Sequence, residues 1–451
     1  MAELVLCVDF GSTFTKALLV DVDGGGLLGT ATHRTTIDTD LMDGYDGCVA
    51  ALRADHPDVD AAEQRACSSA GGGLRIVVVG QEELVTAEAG RRVALSSGGI
   101  VVGVLSHPHP PGSWQELAAE ARPDVVLLTG GTDGGNAAPL LENAAELAAG
   151  SWRGPVVVAG NAAAREQVSA TLTDAGLPVV LTGNVLPRIG ELDPEPARSA
   201  VREMFLAHVI GGKQLSARPE FVSMVRGATP DVVLTGVEVL AEALDLGTGV
   251  AVVDVGGATT DVHSVVRLDP ETAELRRDVV AVTPVTRTVE GDLGMRWSAV
   301  STVSAAIDAG LADPMLVPAG ERRTADPGFL PTTEAQRVDE ETIARAAVVL
   351  AVRRHVGRSR VVMSPDGRVV ERSGKDLREI DLMVGSGGVL RNASAATASA
   401  ILAAATGEST DGWQQPARPR VVVDRVHLLV AVGLLAGDHP AAAAGLARLL
   451  A

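Results

Sequence analysis

Two stretches of the chain share one alternation of apolar and polar positions. The run Leu4 to Val8 ends in Asp9, crosses a turn at Gly11-Ser12-Thr13 and resumes as Ala17 to Val20. Val250 to Val253 leads through Asp254 and Gly256-Gly257-Ala258-Thr259 into Val262 to Val266. Matched positions lie 245 residues apart, as Asp254 does from Asp9. Each stretch predicts a strand, a tight turn and a second strand. A third strand is predicted at Leu27 to His33, after the turn at Asp23 to Gly26. Its counterpart is predicted near Leu275 to Val282, after a turn at Asp269 to Thr272.

Between the copies the period changes. The runs following Asp124, Pro155 and Pro178 are continuously apolar, end in Gly turns and lead into Ala-rich helical sequence, which is the pattern of parallel β-α-β units. They place an α/β segment at about 115–215 within an N-terminal lobe of residues 1–244. Gly-rich stretches at Ala70 to Gly73 and Ser96 to Gly99 read as ordinary turns. His107-Pro-His109-Pro-Pro111 reads as an exposed rigid loop, and the acidic stretch Asp38 to Gly44 as a solvated loop or helix start. Thr235 to Leu244 predicts a helix carrying Glu238. In the second lobe, 245–420, a strand at Met383 opens into Gly385-Ser386-Gly387-Gly388 and a helix over Ala393 to Ala405. The last segment, 421–451, returns to the lobe interface: Asp424 is placed to cap a helix from Arg425 to Leu435, and Ala431 and Gly433 are small enough for a close helix crossing.

Composition narrows the partners. The 451 residues suffice for two or three domains, and with only 2% aromatic residues the core must be aliphatic. A net charge of -19 argues against nucleic acid and anionic membranes. Cys7, Cys48 and Cys67 form no close pair, so no disulfide framework or metal cluster is indicated and a reducing cytoplasm is expected. The N-terminus lacks a signal-peptide pattern, and the apolar stretch Val426 to Ala436 is too short to span a bilayer.

The duplicated turns carry the candidate chemistry. Gly11, Gly256 and Gly257 let backbone N–H groups approach an anion, and hydroxyls of Ser12, Thr13, Thr15, Thr259 and Thr260 add donors. Asp9 and Asp254 would repel phosphate unless Mg2+ stands between them, through water. Lys16 is one of three lysines in the chain and is matched in the second copy by Asp261. Gly385, Ser386, Gly387 and Gly388 form a turn against which a ribose or base can lie.

The order of Asp9 to Lys16, the Glu238 helix, Asp254 to Asp261, Gly385 to Gly388 and the small-residue helix resembles the actin, Hsp70 and sugar-kinase ATPase superfamily. The resemblance implies duplicated actin-like (ribonuclease H-like) lobes around a Mg-ATP cleft. It makes the two hairpin turns phosphate loops, 384–392 the adenosine motif, and 235–244 and 425–436 the connecting helices. With Cys67 to Gly73, Leu128 to Asn136 and Val289 to Met295, the whole pattern is similar to the accessory protein family encoded with adenosylcobalamin-dependent glutamate mutase. That implies an ATPase serving the mutase subunits by reactivation, with homo-oligomerisation left open. In the implied mechanism Asp9, Asp254 and Asp261 position Mg2+ and water, and Glu238 or one of these carboxylates orients the attacking water. Lys16 either contacts the β or γ phosphate or points into the sheet. The alternatives are a small-molecule kinase with Asp292 as base, a nucleotide-sensing scaffold, and an electron-donating activator, for which cysteines near Gly385 are missing.

Overall fold

The computed structural model describes residues 3–267, 284–364 and 367–450. Both hairpins form in the register that the repeat implies. Leu4–Phe10 pairs antiparallel with Phe14–Asp21, Asp9 opposite Lys16, and Gly249–Val255 pairs with Thr260–Val266, Asp254 opposite Asp261. Each hairpin lies within a five-stranded sheet, and the two sheets have the same order. In the first, Gly26–Arg34 flanks the hairpin on one side, and Glu63–Ser68 and Val225–Ala228 join in parallel on the other. In the second, Val285–Glu290, Leu382–Ser386 and Arg420–Val423 take the same places. The chain is therefore an α/β protein of two duplicated actin-like lobes. The turn at 269–272 and the strand over 275–282 lie outside the described residues; the observed third strand of the second lobe follows them.

Strand alternation sorts the cores. Leu6, Val8 and Phe10 face the helix Leu41–Arg53, whose first turn is capped by Asp40 accepting from the Met42 N–H at 2.8 Å. The acidic stretch is thus a helix start. Val5, Cys7, Leu18 and Val20 face the other way, into a central core shared with Val250 and Val252 of the second lobe. Apolar burial on both faces of each hairpin explains why these runs are nearly unbroken.

The α/β segment is an insertion between Glu63–Ser68 and Val225–Ala228. Its sheet is all parallel, in the order Ile100–Ser106, Arg75–Gly80, Val125–Leu128, Val156–Val158, Val179–Leu181. It begins at Arg75 rather than about 115, because two of its strands follow Gly-rich stretches that read as ordinary turns. The His107 to Pro111 segment is no free loop: it folds onto the helix Ala138–Ala149, with His107 Nε2 2.8 Å from Glu142 and His109 Nδ1 3.4 Å from Glu146.

Two helices join the lobes. Thr229–Ala243 starts earlier than Thr235, and Leu428–Leu435 starts after a turn in which the Asp424 carboxylate accepts from the N–H groups of Val426, Leu428 and Leu429. The helices cross backbone to backbone. A Cβ on Gly236 would strike the Leu429 carbonyl, and one on Gly433 would strike the Val232 carbonyl. The final helix, Pro440–Arg448, packs its Ala443 and Leu446 into the same central core. Among the described residues no helix is long and apolar enough to cross a membrane.

Candidate functional site

The carboxyl ends of the two central strands and the start of the helix Thr229–Ala243 converge between the lobes. Asp9, at the end of the first strand, is 2% exposed and fully engaged. Its Oδ2 accepts from Lys16 Nζ at 2.9 Å, and its Oδ1 accepts from Thr229 Oγ1 at 2.7 Å and faces Cys67 Sγ at 3.6 Å. Burial opposes the Lys16 charge, but Asp9 and, beyond it, Asp254 outweigh that and hold its pKa above the ordinary value. Lys16 therefore points into the space between the lobes.

Asp254 occupies the matched position without a matched partner. Burial pushes its carboxyl up to about 6; Lys16 pulls it down, while Asp261, Asp9 and Asp424 push it further up. Among the described residues no side chain or backbone group hydrogen-bonds it. Gly387 lies directly against it: φ is +99° there, and a Cβ would sit 2.9 Å from Asp254 Oδ1 and collide with the Val255 carbonyl. Ser386 pairs with Asp254 across the parallel ladder. The first and second hairpin turns and the Gly385 to Gly388 turn thus share one cleft.

The turns are held from behind. Thr35 donates its hydroxyl to the Gly11 carbonyl at 2.7 Å and its N–H to the Thr13 carbonyl at 3.0 Å. In a trans peptide the next N–H points the opposite way, so those of Ser12 and Phe14 face away from Thr35. In the second loop the carbonyls of Gly256, Gly257 and Ala258 accept from Met295 N–H, Arg296 N–H and Ser298 Oγ at 2.9, 2.7 and 2.6 Å. The N–H groups of Gly257, Ala258 and Thr259 are thereby turned away from that segment, the arrangement of an anion-binding nest. The glycines are required at the same point of each turn: a Cβ on Gly11 would lie 2.7 Å from the Phe14 carbonyl, and one on Gly256 2.8 Å from that of Thr259.

Other expected residues are placed elsewhere. Thr15 is buried against Thr35 and the helix Leu41–Arg53, and Thr260 donates to the Leu293 carbonyl at 2.9 Å, so both point to the sheet face opposite the cleft. Thr259 donates to Asp261 at 3.1 Å. Asp261 is on the cleft side but forms an ion pair with the buried Arg287, which also donates to the Leu95 and Gly99 carbonyls of the insertion at 3.0 and 3.3 Å. Glu238 does not join Asp9 and Asp254. It is nine residues beyond Thr229, about 13 Å along the helix, where Arg198 Nη1 lies 3.4 Å away. Burial raises its pKa, against the pull of Arg198. There it lines a second cavity of about 910 Å³ between the lobes, with Arg92, Glu195 and Arg267. Asp292 is clasped by Arg354 at 2.6 and 2.9 Å.

The cleft also gathers residues to which the sequence reading gave no role there: Thr229, Arg391 and His427. Thr229-Pro230 carried a usable signal, since Pro in the first turn marks a helix start. Arg391 follows the Gly385 to Gly388 turn directly. His427 gave none, because only the fold brings it to the cleft.

The MutL protein family model matches residues 5–449. The chain belongs to the MutL protein family. It is 35% identical over 450 residues to Protein MutL of Clostridium tetanomorphum, covering 97% of each chain. Family membership agrees with the accessory-protein resemblance read from the motifs. Solved structures similar to this MutL family member include the ethanolamine utilization protein EutJ from Carboxydothermus hydrogenoformans, at 13% identity, 100% and 91% coverage and a TM-score of 0.28. The ATP-dependent caprolactamase from Pseudomonas jessenii is 14% identical, with 96% and 70% coverage and a TM-score of 0.39. The (R)-2-hydroxyglutaryl-CoA dehydratase component A of Acidaminococcus fermentans is 10% identical, with 98% and 100% coverage and a TM-score of 0.33. Likenesses this distant carry no functional argument.

Proposed function

We propose that this protein binds Mg-ATP between its lobes and hydrolyses it as an accessory or reactivating chaperone of an adenosylcobalamin-dependent amino-acid mutase, glutamate mutase first among them. The observation that carries the nucleotide reading is the meeting of three Gly turns around two strand-end aspartates. The partner rests on membership of the MutL protein family and the motif resemblance.

The donor set fits Mg2+, a hard cation that takes carboxylate and water oxygens. Asp254, a half-buried carboxylate with no protein partner, is the better holder; Asp9 already has Lys16 and Thr229. When bound, the ion would neutralise phosphate charge. The two loops offer N–H donors, Ser12 and Thr13 add hydroxyls, and Gly385 to Gly388 leave room for ribose and base. Thr229 and Lys16 fix Asp9, which with Asp254 takes over the water-orienting role, Glu238 being too far along its helix. Alignment and charge neutralisation are the main needs of phosphoryl transfer. Nothing favours a kinase, since Asp292 is tied to Arg354.

The test has two parts. Purified protein should bind and turn over ATP with Mg2+. It should then restore activity to a mutase inactivated with damaged cobalamin. ATP turnover without rescue of several amino-acid mutases would remove the partner and leave the ATPase.

A further inference from the structure

One turn of the insertion is buried where three parts of the molecule meet. Ser96 to Gly99, an ordinary turn by its sequence, closes the helix Glu88–Ser96 and is buried throughout, although it carries no apolar side chain. Hydrogen bonds and close fit therefore hold it. On one side lies the start of the helix Thr229–Ala243: Gly98 has φ +80°, and a Cβ there would lie 3.0 Å from Ala228 Cβ and 3.2 Å from the Asp231 backbone N. On the other side lies the second lobe, whose buried Arg287 donates through Nη1 to the Leu95 and Gly99 carbonyls at 3.0 and 3.3 Å. A cation at the carboxyl end of a helix also meets the negative pole of its dipole, which adds to these bonds.

The same guanidinium is held from the cleft. Its Nε and Nη2 both donate to Asp261 Oδ1, and Thr259, in the second hairpin turn, donates its hydroxyl to Asp261 Oδ2 at 3.1 Å. A chain of hydrogen bonds thus runs from that turn through Thr259, Asp261 and Arg287 to the insertion. Arg287 has a further acceptor within reach. His263 stands opposite it in the antiparallel ladder, on the same sheet face, and the buried His263 Nδ1 has no partner among the described residues. Burial and the Arg287 charge push the His263 pKa down to about 3 against the pull of Asp261, so the ring is neutral and one of its nitrogens is an acceptor.

We infer that Arg287 is a latch between the second lobe and the insertion, and that a nucleoside triphosphate with its divalent cation, bound at the second hairpin turn, opens it. The latch rests on the nucleotide reading and extends it to the insertion. A phosphate oxygen takes the Thr259 hydroxyl, and the cation takes the Asp261 carboxylate and repels the guanidinium beside it. Arg287 then leaves Leu95 and Gly99 for His263. The turn, left with its own hydrogen bonds, loosens from the helix whose Thr229 touches Asp9. Occupancy of the cleft is thereby passed to the insertion. The coupling is reciprocal, so loosening the turn favours the occupied cleft.

Hydrogen exchange on the full chain, with and without Mg-ATP at a concentration that calorimetry shows to be saturating, tests this. In wild type, Mg-ATP should speed exchange over residues 95–101 about tenfold or more, the worth of a hydrogen bond to a charged group. Arg287→Met should exchange that fast without ligand and gain nothing from Mg-ATP. Arg287→Lys keeps the charge but not the fork; it should lie between the two, and it serves if Arg287→Met does not fold by circular dichroism. Gly98→Ala touches no group of the cleft and crowds the turn away from Ala228 and Asp231. It should bind ATP about fivefold or more tighter than wild type, which a turn of purely structural role would not do. If wild type binds ATP and exchange over 95–101 is unchanged or slowed, or if Gly98→Ala leaves ATP affinity unchanged, the latch fails and the nucleotide reading stands; if wild type binds no nucleotide, both fail.

Discussion

The two hairpins have the same register, the same flanking strands and the same glycine contact, yet they treat their aspartates oppositely. Across from Asp9 stands Lys16, which neutralises it; across from Asp254 stands Asp261, which raises its pKa and is itself drawn off by Arg287. One duplicated device has become a satisfied carboxylate and an unsatisfied one. The first is built for stability, and the second is a half-buried carboxylate with no hydrogen-bond partner among the described residues, which leaves its oxygens open to a cation. A repeat retained in backbone geometry can thus divide its labour through a single cross-strand pair.

The sharpest break of this comparison is Asp254→Ala. We expect ATP turnover to fall about a hundredfold or more, the scale of losing a preorganised electrostatic contact, with the fold retained. Turnover near wild type in a steady-state assay would show that the unsatisfied carboxylate is not the working one. Lys16→Met strikes the other hairpin. It leaves Asp9 buried with only Thr229 and Cys67, and should lower unfolding stability by about 3 kcal/mol in a urea titration. Asp261→Asn should cost about half that on the same scale, because Arg287 keeps its bonds to the Leu95 and Gly99 carbonyls.

The fourth test is one of pH. Asp254 has its folded pKa raised from 3.8 to about 6, so the folded state holds this proton where the unfolded chain has lost it. Stability from this group is present below 3.8 and falls as pH rises to about 6. Asp254→Asn removes that loss. Thermal melts should show the variant more stable than wild type by roughly 3 kcal/mol at pH 7.5, with the gain fading toward pH 4. A gain that persists at pH 4 would mean the charge is not its source. The smallest effect is expected from Thr35→Val, which frees the Gly11 carbonyl at a cost of about 1 kcal/mol; a hydrogen-exchange increase confined to residues 11–14 would register it.

Much of this was legible beforehand, for a reason rooted in backbone physics. Strand alternation and the glycine demand of a tight turn are local, so the hairpins, their offset and the Gly387 turn appear in the sequence directly. The Asp424 cap was local too. What stayed hidden depends on direction or distance. Thr15 and Thr260 looked like phosphate donors because a hydroxyl in a turn motif carries no mark of which sheet face it occupies. Glu238 seemed to follow the strand it precedes, but the nine residues of helix from Thr229 carry it about 13 Å from the aspartates, beside Arg198. The Asp261–Arg287 pair and His427 depend on contacts between segments remote in sequence, which no periodicity encodes. The runs at Arg75 and Ile100 look strand-like, but the Gly turns before them are weak signals and nothing local joins them to the parallel sheet, in which the first is buried and the second is a part-exposed edge strand.

The crossing of Gly236 over Gly433 has a mechanical consequence. Because carbonyls touch backbone there with no side chain between, the contact resists sliding and favours rotation. Measured from Gly236, the helix extends about 10 Å to Thr229 and about 10 Å to Ala243, so it is a lever with equal arms. One end touches Asp9; the other lies by the 910 Å³ cavity lined by Glu238 and Arg198. A rotation about this crossing that narrowed the mouth holding the aspartates would widen the opposite mouth by a similar amount, and the two ends would then trade volume.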